Sequence, residues 1–234
     1  MTPSRLKIAT YLSIVNIENS MHEREAKETD LTEQKTKPGA YHHGDLRQAL
    51  LVAAEAEIAE KGVEGFTLRG CAKRAGVSHA APAHHFKDAD ALLSALAAEG
   101  FDRLSRFVRA RQEKMAGADA RARMLATGLG YIDFALANAA LFRLMFSSSR
   151  PDHEAEFLMK AGTDAFGALV GAVREVTGRE FGVDDAATAD VTAAWAIVHG
   201  VSELMLAGKL PFIDALPPDA REAFLIGVIS RVMP

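Results

Sequence analysis

One corner restricts this chain more than any other stretch: Thr67–Phe86, which reads TLRGCAKRAGVSHAAPAHHF. Two short helices can cross at about 90–120° only under three conditions. A small residue must let them approach, a turn residue must accept positive φ, and apolar side chains must pin the corner. Ala72 is the small residue, Gly76 follows four positions later as the turn, and Cys71, Ala75 and Val77 are the pins. Thr67 is a good cap for the first helix, and Ser78 for the second. A capped second helix would aim its amides and positive dipole end at a phosphate. The pattern predicts a helix-turn-helix over residues 67–86. Pro82 is the irregularity. Counted from a Ser78 cap, its missing N–H would have made the first intrahelical bond, so the second helix is expected to begin loosely, as a 3₁₀ turn.

The flanking sequence is helical in the same idiom. Asp45 to Gln48 fits a capping box, and Leu46, Leu50, Ala53, Ala54 and Ile58 follow at helical spacing until Gly62. A longer helix starts at Asp88 with a stripe of Ala91, Leu92, Ala95, Leu96, Phe101, Leu104 and Val108. Further helices are expected over 118–137, 141–146, 152–176 and 184–206, and a last one opens at Pro217-Pro218 and runs to Val232. That makes about nine helices and no hairpin signal, so the fold class is all-α. Residues 1–43 are expected to be a tail, disordered or misassigned, because 21–37 are nearly all polar. Met21 is an alternative start to Met1. Residues 44–104 then form the helix-turn-helix domain and 105–234 a second helical domain.

Composition excludes several classes. A single cysteine, Cys71, rules out an internal disulfide, and no apolar run reaches the roughly 20 residues of a membrane span. The apolar stretch 8–17 follows Arg5 and Lys7, but Asn16, Glu18 and the lack of a cleavage pattern argue against a signal peptide. A cytoplasmic protein is expected. The net charge of -4 is unlike an indiscriminate nucleic-acid binder. Up to residue 110 there are 15 basic and 15 acidic residues, so the deficit lies wholly beyond it. No paired carboxylates, Ser-His-Asp set, phosphate loop or metal cluster emerges, so neither an enzyme nor a cofactor or metal site is expected.

Residues 44–104 resemble the DNA-binding domain of TetR-family regulators, of the AcrR-like kind. The likeness rests on Thr67-Leu68-Arg69, the Ala75-Gly76-Val77-Ser78 turn, the His85-Phe86 ending and Leu92-Leu93. Trp195-Ala196-Ile197-Val198-His199-Gly200 resembles a Trp-x3-His-Gly C-terminal domain often partnered with that head. The resemblance implies a homodimer through the last two helices, a palindromic double-stranded operator, and release of DNA when a cavity in the C-terminal domain fills. It implies repression as a habit of the family.

The DNA-contacting residues expected on this basis are Thr67, Arg69, Ser78, His79, Ala80, Ala81, Ala83, His84, His85 and Lys87. Plain solvent exposure is the competing reading for Arg69, Lys73, Arg74 and the histidines. Relatives usually carry Tyr at Ala83 and Lys at Ala89, both touching phosphate. Losing four such contacts per dimer would flatten the salt dependence by about 3.6 log units per log unit of salt. Binding would be weaker, or tighter below about pH 6.5, where histidines charge. Met124, Tyr131, Phe134, Phe142, Met145, Phe146, Phe166, Trp195 and His199 are the candidates for lining a pocket for a small hydrophobic effector, with Phe157 a further one. For Trp195 and His199 the alternative is helix packing, with a backbone carbonyl satisfying the imidazole. Cys71 is expected to be a buried small hydrophobe rather than a redox sensor. The alternative to a regulator is a helical interaction protein whose reading head has weakened.

Overall fold

The computed structural model describes residues 43–234. The expected tail, the choice between Met1 and Met21, and the His42-His43 and Asp45 side chains lie outside what it describes. Nine α-helices and two 3₁₀ turns make up the described residues, which contain no strand.

The head is built from α1 (His43–Lys61), α2 (Leu68–Arg74), a 3₁₀ turn (Ala81–His84) and the start of α3 (Ala89–Glu113). Helix α1 begins two residues before the expected Asp45 start. It buries Leu50, Leu51, Ala54 and Ile58 and stops at Gly62, whose φ is +74°. The Thr67 hydroxyl caps α2 by accepting the Gly70 amide at 3.0 Å. Gly76, at φ +71°, turns the chain out of α2 as its position required.

The segment after Gly76 corrects one expectation. Ser78 does not cap an α-helix. The 3₁₀ turn has no side-chain cap, and Ala80 occupies the position before it. The reason is Pro82. An α-helix would need a proton on the Pro82 nitrogen to reach the Ser78 carbonyl, and that carbonyl instead takes the Ala81 amide at 3.0 Å. The loosening expected at the start thus extends through the whole element.

The C-terminal body comprises α4 (Ala120–Ala137), α5 (Ala139–Phe146), α6 (Glu156–Thr177), α7 (Asp185–Leu206), α8 (Pro211–Asp214) and α9 (Pro218–Ile229), ending in a 3₁₀ turn, Ser230–Val232. Aspartates cap α3, α4 and α7: Asp88 accepts from Ala91, Asp119 from Ala122, and Asp184 from Ala186 and Ala187. Helix α6 starts at Glu156 rather than Asp152, because the Asp152 amide donates to the buried Ser94 hydroxyl on α3 at 2.8 Å. That bond docks the 152–155 stretch on the neighbouring helix instead of letting it coil.

Helix α3 belongs to both halves. Its first turns carry Leu92, Leu93 and Leu96 into the head's core, while Leu104 and Val108 pack among the body's apolar residues. It crosses α4 so closely that a Cβ on Gly130 would lie 2.7 Å from the Val108 Cα. No single described helix is long and apolar enough to cross a membrane.

Candidate functional site

In the head, the corner is fixed by a buried charge. Glu57 on α1 is 1% exposed and takes the Lys61 ammonium at 2.5 Å and the Arg74 Nε at 3.0 Å. The Lys61 hydrogen bond, with Arg74 adding to it, holds its carboxyl below the ordinary range against the opposing effect of burial. Gly70 lets the carboxylate in, since a Cβ there would collide with Glu57 Oε1. Arg74 also pairs with Glu60, so it is committed to α1 and not to an outside ligand. Cys71 is fully buried and its thiol donates to the Leu50 carbonyl at 3.3 Å. Burial pushes that thiol up to about 11, which keeps it un-ionised and unreactive.

Outside this clamp the head presents its expected DNA-facing residues to solvent. Arg69, Ser78, His79, Ala80, Ala83, His84 and Lys87 are all exposed. Thr67 is exposed too, although its hydroxyl is already used as the α2 cap. Ala81 and His85 are half-buried and Pro82 is buried, so one side of the 3₁₀ turn faces the core. His85 and Lys87 line a groove of about 430 Å³ with Arg47, whose guanidinium lies 5.4 Å from the Phe86 ring centroid. Arg47 is a cation of this face that sequence reasoning passed over. Among the described residues no group of three or more His, Cys, Asp or Glu is placed to hold a metal.

In the body, four of the expected pocket residues, Tyr131, Phe142, Phe146 and Trp195, converge on a fifth, His199. The Tyr131 hydroxyl lies 2.8 Å from His199 Nδ1 and is also bonded to the Trp195 side chain. An indole can only donate, so Tyr131 accepts from Trp195 and donates to His199. Burial lowers the His199 pKa, with Glu203 opposing, so the imidazole is held neutral and Nδ1 accepts. The rings of Phe142 and Phe146 stand 5.3 and 5.2 Å from the imidazole. The partner of His199 is therefore a tyrosine hydroxyl and not the backbone carbonyl of the packing alternative.

The other five expected pocket residues scatter. Phe166 touches the edge of this cluster through Trp195, at 5.8 Å. Met124 packs elsewhere, with Val173, Val191 and Ala194. Phe134 is fully buried against Phe107, where α3 meets α4, and Met145 fills the space opposite Gly100. Phe157 is 52% exposed, on the rim of the groove beside the head. Two aromatic members were missed: Phe101, on Phe146 at 5.6 Å, and Phe181, on Phe166 at 5.6 Å.

Residues 50–96 match the family described as bacterial regulatory proteins, tetR family, and residues 124–229 match the tetracyclin repressor-like C-terminal domain. A solved protein of unknown function from Rhodococcus sp. RHA1 is 37% identical with a TM-score of 0.67, over 85% of this chain and 99% of that one. The chain belongs to the TetR family.

A TetR-family transcription regulator from Marinobacter aquaeolei VT8 is 17% identical, with TM-score 0.61 over 81% of this chain and 95% of its own. The fatty acid degradation regulator FadR from Bacillus halodurans is 17% identical, with TM-score 0.55 over 86% and 97%. A search of curated proteins gives no significant match. As a TetR-family member the chain is a DNA-binding transcriptional regulator, and the family is not one of enzymes. A tetR-family domain at residues 50–96 implies DNA binding. The helix-turn-helix expected from Ala72, Gly76 and Val77 lies within the matched residues 50–96.

Proposed function

We propose that this regulator is a cytoplasmic homodimeric repressor that leaves a palindromic operator when a small, mainly apolar effector enters the His199 cluster. The observation that carries the reading is the neutral, hydrogen-bonded polar chain Trp195–Tyr131–His199 set among phenylalanine rings. An aromatic surround with a few oriented polar groups is the composition of a small-molecule site. With Nδ1 engaged by Tyr131, the remaining ring nitrogen is the donor, which selects an effector bearing a hydrogen-bond acceptor.

A two-fold contact through α7 and α9 fits their exposed features. Leu204, Phe212 and Phe224 are exposed apolar side chains on or beside these helices, and Gly200 and Gly227 face open space. Two heads so joined must sit about 34–36 Å apart, or a multiple of that, to occupy successive major grooves. An effector that prefers another spacing lowers operator affinity by its differential affinity for the two states. Arg69, His79, Ala80, Ala83, His84 and Lys87 make the DNA contacts, with Ser78, Ala81 and His85 at the edge of the footprint and Thr67 acting through its cap.

Trp195 is the only tryptophan in the chain, so its emission reports the site directly. The test pairs a mobility shift on the DNA flanking the gene with Trp195 fluorescence during an effector screen. Compounds that shift the emission should release the DNA in proportion. Compounds that change the fluorescence and leave the DNA complex intact would overturn the effector reading.

A further inference from the structure

The break between α5 and α6, Ser147-Ser148-Ser149-Arg150-Pro151, looks in sequence like a simple linker. Its side chains are instead committed to both halves of the molecule. Arg150 Nε and a terminal nitrogen grip the Asp90 carboxylate in the first turn of α3, at 2.9 and 2.8 Å. The other terminal nitrogen donates to the Val63 carbonyl at 2.9 Å and the Phe66 carbonyl at 3.2 Å. The guanidinium also lies 5.8 Å from the centroid of the Phe66 ring. Val63 and Phe66 form the bend that launches α2, and Phe66 itself is buried. One planar fork thus satisfies two backbone carbonyls and a carboxylate on two separate elements of the head, which a lysine could not do.

The other end of the same segment begins in the aromatic cluster. Phe142 and Phe146 lie on α5 against His199, and the helix ends at Ser147. The Ser147 hydroxyl reaches Glu203 at 3.3 Å, one turn beyond His199 on α7. Ser148 takes the Arg150 amide at 3.2 Å, buried Pro151 stiffens the exit, and the next amide is held by Ser94. Only three residues separate Phe146 from Arg150, and both ends of that span are anchored.

We infer that Arg150 is a positioning residue for the reading head, a strap through which displacement of α5 at the His199 cluster changes the angle of α2 and the 3₁₀ turn. The inference rests on the effector reading proposed above and supplies its mechanical link. It differs from a lever in α3 alone, because the strap grips the head directly at the α1–α2 bend.

The test is an electron-spin distance within one protomer. Labels are placed through His79→Cys on the head and Lys209→Cys on the body, in a Cys71→Ala chain diluted with unlabelled protein. The parent should give one narrow distance. Arg150→Ala should broaden or shift it by several ångströms, and should weaken DNA binding on the order of tenfold in the unlabelled protein. Arg150→Lys, which keeps the charge facing Asp90 but loses the fork, should fall between. Should Arg150→Ala not fold, Asp90→Asn at an exposed position gives the same reading with a smaller shift. Superimposable distances in these variants and the parent would overturn the strap, even if an effector still released DNA. Distances that respond to Arg150 while no compound perturbs Trp195 would leave the strap standing and sink the effector reading.

Discussion

The head and the body of this regulator are held together by different means. The head is small and secures its shape with discrete devices: the Thr67 cap, the Gly76 turn, and the Glu57 carboxylate bound by Lys61 and Arg74 across Gly70. The body relies on apolar helices pressed closely together, with Gly130 against the α3 backbone and aromatic rings around His199. Removal of one device should therefore loosen the head alone, whereas damage to a helix crossing should take down the whole molecule.

The largest expected effect is at Gly130. Gly130→Ala places a Cβ against backbone, which cannot rotate away, and should cost about 3 kcal/mol or more. For a chain of this size that is a fall of roughly 6–12 °C in the melting temperature followed by circular dichroism. Gly100→Ala meets only flexible side chains, the Met145 thioether first, and should cost far less. Equal losses in the two variants would contradict the idea that backbone proximity sets the cost.

Second in size is the head's DNA affinity. Ala89→Lys should restore a phosphate contact and steepen the salt dependence by about 1.8 for the dimer, since only a charged side chain releases counterions and the uncharged Tyr missing at Ala83 adds nothing to the slope. Titrations at three salt concentrations measure the slope, and an unchanged slope would show that position 89 does not face phosphate.

Third is Glu57→Gln, which should weaken DNA binding by about tenfold while shifting the main melting transition by only a few degrees. Glu57 has a lowered folded pKa, so its stabilisation is present above the ordinary carboxylate value of 4.5 and lost as pH falls through the folded value. The wild-type head should loosen first on acidification, and the Glu57→Gln substitution should abolish that early loss. Amide exchange of residues 63–86 would resolve the step.

The smallest effect belongs to His199. Its folded pKa is lowered, so between the folded value and the ordinary 6.5 the unfolded chain binds more protons. Stability is complete above pH 6.5 and declines as pH falls towards the folded value. His199→Gln should flatten that decline between pH 7 and 5 in urea melts, and a slope identical to wild type would place the titration elsewhere.

The contrast also explains what was legible beforehand. Thr67, Gly76, Asp88 and the α7 start at Asp184 act within a few residues of their own position, so sequence spacing alone exposes them. The convergence of Tyr131, Phe142, Phe146, Trp195 and His199 could be approached only as a set of apolar candidates. Helical spacing says which face is buried, not which helix it will meet. Met124 and Phe134 show the cost of that gap, since each faces a different neighbour. Glu57 did leave a trace, as a charge inside the apolar stripe of α1, but its partner Arg74 lies 17 positions away. Arg150 left none, because its partners are mostly backbone carbonyls that no side-chain pattern can mark.

The 3₁₀ winding of Ala81–His84 has a consequence for what the protein can read. At three residues per turn, side chains three apart eclipse one another, so Ala80 and Ala83 form one outward file while Pro82 and His85 point back. That file offers DNA nothing but methyl groups. In the DNA contact proposed above, it would discriminate by nestling against the 5-methyl of thymine and by rejecting bulk, while hydrogen-bonded reading of base edges would fall to His79 and His84 on either side. If that file meets the operator as proposed, replacing thymine by uracil under it would weaken binding without removing a single hydrogen bond.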